Sequence, residues 1–328
     1  MNRWSGILKV PLHPNSGKFY RVAASLSLSP TSKTLTVPCA NAIFFNGDRV
    51  EGTGNPVIER LSNLQNIAEI LVSKFGDSTN AWVVEASDFN GAFAMYHDFI
   101  PLINRWGEPK SYTPNGFPAS RSTISLLGRC YNEVKKIISS GKPGTQETTI
   151  STLGCRTPKT IILGFSKGGT VVNQLVAELG NKDLIAADEN LPHFKQDPGV
   201  ECSKPDEVQF ISTTEQSFLK SITEIHYIDV GLNSHGAYLT DPEVIKRISS
   251  SLVQESRGLC FVLHGTPRQW CDSRRVWIRD EKEIMMSFLK SEAPRSGGNL
   301  QVCEKFYFAD RPVDMQMHFE IIEKLDVC

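Results

Sequence analysis

Thr160-Ile161-Ile162-Leu163-Gly164-Phe165-Ser166-Lys167-Gly168-Gly169 is the stretch on which the fold of this 328-residue chain turns. A β-branched threonine and three aliphatic residues make a short buried strand. Gly-x-Ser-x-Gly follows at 164–168, and Val172, Leu175, Val176 and Leu179 then recur at helical spacing. Strand, tight turn and helix in that order are what a nucleophile elbow requires. The serine sits in a strained turn, and side chains at Gly164 or Gly168 would collide with the strand or helix. Gly169 lets the helix pack close to the sheet. The same residues also fit a plain strand-to-helix turn with Ser166 as a cap. A phosphate-binding loop has no support, because no Gly-Lys-Ser/Thr sequence occurs.

Working outward, strands and helices alternate. Strands are predicted at 42–45, 81–84, 225–230, 259–264 and 302–308, and helices at 56–71, 124–138, 243–253 and 276–289 and from about Phe319. This pattern predicts an α/β fold, a mostly parallel central sheet with helices on both faces. Strand C-termini then share one edge, where sites are built. Residues 41–328 read as a single domain with insertions near 88–117 and 180–205. The 88–117 stretch, rich in aromatics, Gly and Pro without a clear period, reads as a lid or binding loop. Residues 1–47 carry Arg3, Lys9, Lys18, Arg21 and Lys33 but no Asp or Glu. Residues 1–40 therefore read either as two N-terminal strands, at 6–10 and 19–28, or as an organelle-targeting segment.

Composition removes several classes. With 35 Lys+Arg against 36 Asp+Glu, the chain lacks the basic excess of a nucleic-acid binder. Its longest apolar runs are too short to span a bilayer, so no transmembrane segment is expected. The eight cysteines are scattered without a C-x-x-C pair, which gives no zinc-site pattern and favours an intracellular, reducing compartment. No metal and no organic cofactor are implied.

A serine nucleophile needs a base. His318, the last histidine, lies beyond the final strand and before the last helix, where the base of such an elbow falls. His264 and His235 are the reserves. The acid that orients the base has two candidates. Asp272 lies in the loop after the strand ending at His264, and Asp229 ends the preceding strand. An oxyanion hole needs two backbone N–H groups. Lys167 supplies one, and the Asn46-Gly47-Asp48 loop after an early strand supplies the other or is an ordinary turn. The Lys167 side chain, beside the nucleophile, reads either as an attractor of an anionic substrate or, as the plainer reading, as a solvated lysine on an exposed helix start.

With those residues in hand, the chain resembles the α/β-hydrolases over nearly its whole length. The elbow with its following Val-Asn-Gln-Leu resembles more narrowly the eukaryotic family of the human chromosome 2 open reading frame 69 product. Tyr227-Ile228-Asp229, His264-Gly265-Thr266-Pro267 with Asp272, and His318-Phe319 are similar to segments of that family. Val230-Gly231-Leu232 departs from the glycine-rich run expected after its aspartate. The resemblance implies an esterase-like fold, Ser166 as nucleophile, His318 as base and a mitochondrial location, with the cytosol as the alternative. It supplies no substrate. The expected activity is a serine hydrolase acting on an ester or thioester of a small, lipid-like acyl group. Phe89, Phe93, Tyr96, Phe99 and Trp106 would line its pocket or belong to the core. The rival expectation is an inactive hydrolase-fold scaffold that binds a lipid or protein.

Overall fold

The computed structural model describes residues 2–13, 17–140, 157–181 and 210–327. Most of the predicted insertion at 180–205 lies outside them. Eight strands form one sheet: β1 (Asn2–Val10), β2 (Tyr20–Leu28), β3 (Ala40–Asn46), β4 (Thr79–Glu85), β7 (Lys159–Phe165), β8 (Ile222–Ile228), β9 (Leu259–Gly265) and β10 (Leu300–Phe306). Their spatial order is β1-β2-β4-β3-β7-β8-β9-β10. β2 runs antiparallel to both neighbours, and every pair from β4 to β10 is parallel. A small hairpin, β5 (Asp88–Asn90) with β6 (Phe93–Met95), stands apart. The two N-terminal stretches are thus strands of the sheet.

Alternation along each strand builds a core on both faces. Ile43, Phe45, Ile162 and Tyr227 belong to one buried cluster, and Ala42, Phe44, Leu163 and Phe165 to the other. Helices α1 (Pro56–Leu61) and α2 (Leu64–Phe75) cover the second face. The single helix predicted there breaks because Asn63 caps a new one, accepting from the N–H groups of Gln65 and Asn66. The first face takes α3 (Pro118–Ser140), α4 (Gly169–Leu179), α5 (Glu215–Ser221) and α6 (Pro242–Gln254). Buried Glu178 of α4 accepts the N–H groups of Ala119 and Ser120, filling orphan donors at the start of α3. The short α7 (Pro267–Trp270) precedes α8 (Val276–Arg295), which lies on the first face. The last helix, α9 (Met315–Lys324), returns to the second.

This topology sets the site. β3 leads to β4 on one side, while the chain returns to β7 on the other. The C-terminal ends of β3 and β7 therefore flank the switch point where open α/β sheets place their ligands. The architecture is that of an α/β-hydrolase, a mostly parallel sheet with helices on both faces. Among the described residues, no helix is long and apolar enough to cross a membrane.

Candidate active site

Ser166 leaves β7 with φ at 50°, a left-handed conformation that a non-glycine residue adopts only when its surroundings hold it there. Two neighbouring glycines show how tightly they do. A Cβ on Gly168 would lie 1.9 Å from the carbonyl oxygen of Phe45, and one on Gly47 would lie 2.2 Å from the Lys167 nitrogen. The end of β3 is thus pressed backbone to backbone against the elbow. Gly164 has the matching constraint, since its Cβ would meet Val172 Cγ2 at 2.4 Å. Backbone cannot swing aside as a side chain does, so Gly168→Ala is expected to lower unfolding free energy by about 3 kcal/mol. The denaturation midpoint measures it; a midpoint equal to wild type would refute the tight contact.

Asp229 follows β8 with φ at 44° and is fully buried. Its Oδ1 accepts the Thr266 N–H at 2.7 Å, and its Oδ2 accepts the Thr266 hydroxyl at 3.0 Å. The same Oδ2 lies 2.6 Å from Nδ1 of His318. His318 is in the first turn of α9 rather than before it, because Asp314 caps the helix by accepting the Met317 N–H. Its ring packs on Phe165, with centroids 4.6 Å apart. Nε2 of His318 faces not a serine but the carboxylate of Asp48, at 2.9 Å. Among the described residues no hydrogen bond joins His318 to Ser166. Burial pulls the imidazole pKa down, but the bonds to Asp229 and Asp48 and their two negative charges outweigh it and raise it to about 9. With an acceptor on each ring nitrogen, the imidazole rests as a cation.

Ser166, Lys167, Asp48 and His318 line one cavity of about 410 Å³. Asp272 lines it too, but its carboxylate is held by Arg275 Nε at 2.9 Å and by the Arg274 backbone N–H, with no bond to His318. His264 is drawn away, sharing its ring nitrogens between His226 and the Tyr307 hydroxyl. Burial, with His226 and Lys305 nearby, holds its pKa well below the ordinary value. His235 is bound to Glu281. Lys167 corrects the expectation of a solvated side chain. It is 4% exposed and donates to the Trp106 carbonyl at 2.6 Å, because the 88–117 segment folds over the elbow. The aromatics of that segment divide: Phe93 lines the cavity, Tyr96 and Phe99 join the core around Phe45, and Trp106 is exposed. Sequence reasoning missed the Asp48 side chain and Thr266. The sequence points to Asp48 only for its backbone, because a side-chain reach to a residue 270 positions away leaves no local signal. Among the described residues, no group of three or more His, Cys, Asp or Glu is placed to hold a metal ion.

Comparison with known proteins gives relatives and folds. "Mitochondrial protein C2orf69 homolog" of Danio rerio is 24% identical over 270 residues, covering 80% of this chain and 64% of that protein. The Homo sapiens "Mitochondrial protein C2orf69" is 24% identical over 299 residues, covering 80% of this chain and 66% of its own length. The chain thus spans less than two thirds of these relatives. Solved structures of similar arrangement include a putative carboxylesterase from Lactobacillus plantarum, 10% identical with a TM-score of 0.38 over 93% of this chain and 86% of that one. The BES protein from Bacillus cereus is 13% identical with a TM-score of 0.41, over 97% and 95%. The C2orf69 family model matches residues 104–293, which hold the elbow, Asp229 and the Arg268–Arg275 segment. Matched by that model over more than half of its length, the chain belongs to the C2orf69 family.

Proposed function

We propose that the protein is a serine hydrolase of esters or thioesters, with Ser166 as nucleophile, His318 as base and Asp229 as the acid that orients it. The observation that carries the reading is the convergence of strained Ser166 with the buried Asp229–His318 pair at one cavity. In the proposed cycle, the Nε2 proton of His318 is first lost to solvent, and substrate binding then turns the neutral imidazole's Nε2 from Asp48 to the Ser166 hydroxyl. His318 takes the Oγ proton as Ser166 attacks the carbonyl carbon. The oxyanion is held by the N–H groups of Lys167 and of the Asn46–Asp48 loop. Collapse expels the alcohol or thiol, which takes the proton from His318. Water, deprotonated in turn by His318, then frees the acid and restores the Ser166 hydroxyl.

A second reading draws on the Asp48–His318 bond. A base held off its nucleophile fits a hydrolase fold that binds without turnover. Labelling with a fluorophosphonate probe separates the two. The hydrolase predicts labelling of wild type that is absent in Ser166→Ala and reduced at least a hundredfold in rate in His318→Ala. A folded protein that does not label over pH 6 to 10 would sink it. We also propose a mitochondrial location, because the relatives are named mitochondrial proteins. Cell fractionation tests that against the cytosol.

A further inference from the structure

One wall of the cavity carries more positive charge than its protein partners offset. The residues after β9 place Arg268, Gln269, Asp272, Arg274 and Arg275 along it. Asp272 is the acid of that group and is shared by two arginines, Arg274 Nε at 3.5 Å and Arg275 Nε at 2.9 Å. Both contacts use Nε, which leaves the outer guanidinium nitrogens free of Asp272. Arg268 has no acidic partner among the described residues, and its buried Nε has no hydrogen-bond acceptor. The other acids of the cavity are engaged elsewhere. Asp48 faces His318, and Glu108 accepts the Asn233 N–H at 2.9 Å.

A buried guanidinium N–H without an acceptor is costly, and an anion in the cavity would supply one to Arg268 Nε, while Arg274 stays largely exposed. Guanidinium forks suit the planar oxygens of carboxylate and phosphate. Gln269 is buried and lines the same wall. Phe93, Met315 and Phe319 also line the cavity, apolar side chains suited to hydrocarbon.

We propose that the Arg268–Arg275 wall is an anion subsite, and that the ester or thioester attacked by Ser166 carries a carboxylate or phosphate bound there. The inference rests on the serine-hydrolase reading for its reaction, though the subsite stands on its own charges. Two matched pairs of substrates test it and separate the two anions. One pair is p-nitrophenyl butyrate against mono-p-nitrophenyl glutarate. The other is S-butyryl-pantetheine against S-butyryl-4′-phosphopantetheine. In wild type, kcat/KM for the charged member of at least one pair is expected to exceed that for its neutral member tenfold or more. Arg268→Gln is expected to reduce that ratio at least tenfold. Equal rates within both pairs, or a preference that Arg268→Gln leaves intact, would overturn the subsite while leaving the hydrolase in place. Calorimetric titration with glutarate and with 4′-phosphopantetheine covers the converse case. Binding by wild type that Arg268→Gln loses, with no turnover of any ester, supports the subsite and rejects the hydrolase. Neither binding nor charged preference rejects the subsite outright.

Discussion

Asp229→Asn is expected to lower kcat for ester hydrolysis about 10³- to 10⁴-fold, the size of effect seen when the acid of a Ser-His-Asp triad becomes its amide. The reason is the tautomer. The Asp229 carboxylate can only accept, so it fixes a proton on Nδ1 of His318 and leaves Nε2 as the face that exchanges protons with a nucleophile. An asparagine can turn its NH₂ toward Nδ1, putting the proton on the wrong nitrogen. Thr266→Val is the milder companion. It removes one of the two Thr266 bonds to Asp229 without touching the charge, so a loss of about tenfold is expected. Asp272→Asn loosens Arg274 and Arg275 and is expected to cost less than tenfold with a neutral ester. Steady-state rates at matched pH, with the denaturation midpoint as a check on folding, decide the matter. A loss from Asp272→Asn as large as that from Asp229→Asn would return the acid's role to the later loop.

The fold was legible because its signal is local. The Thr160–Gly169 run carries a strand, a turn and a helix start in ten residues, and the structure turns at that place. Asn63 was harder to read. Ile58, Leu61, Gln65, Ala68 and Leu71 keep helical spacing across the break, so periodicity alone joins two helices that a single capping side chain separates. For the site, the sequence order of Ser166, Asp229 and His318 could be read, but the choice between Asp229 and Asp272 could not. That choice depends on what else each carboxylate meets. Asp272 has two arginines within three positions, whereas the Thr266 and His318 contacts to Asp229 come from 37 and 89 positions away. Burial of Lys167 was invisible for the same reason, since Trp106 lies 61 residues away.

Asp48→Asn is expected to raise activity at neutral pH, an unusual result for a buried residue facing a proposed base. Two carboxylates hold His318 as a cation with a pKa near 9. At pH 7 roughly 1% of such imidazoles are neutral and able to accept the Ser166 proton. Replacing Asp48 removes one charge and one charge-assisted bond, so the pKa falls by at least about one unit. The kcat/KM profile of wild type should climb through about pH 9. The variant's profile should climb earlier, with a gain of about ten- to fiftyfold at pH 7. The variant also removes a negative charge from the cavity in which the oxyanion forms. Asp48 is poised for release, because its Oδ1 is buried with no partner and His318 holds only the other oxygen. Stability supplies an independent check. The folded pKa is raised above the ordinary value of 6.5, so the stabilisation is complete below that pH and is lost as pH rises through about 9. Wild type should therefore lose on the order of 3 kcal/mol across that window, and Asp48→Asn distinctly less. Activity that drops at every pH, with folding intact, would instead give the Asp48 carboxylate a direct part in proton transfer. An unchanged pH profile would mean that substrate displaces Asp48 without energetic cost, and the clamp on His318 would have no bearing on the rate.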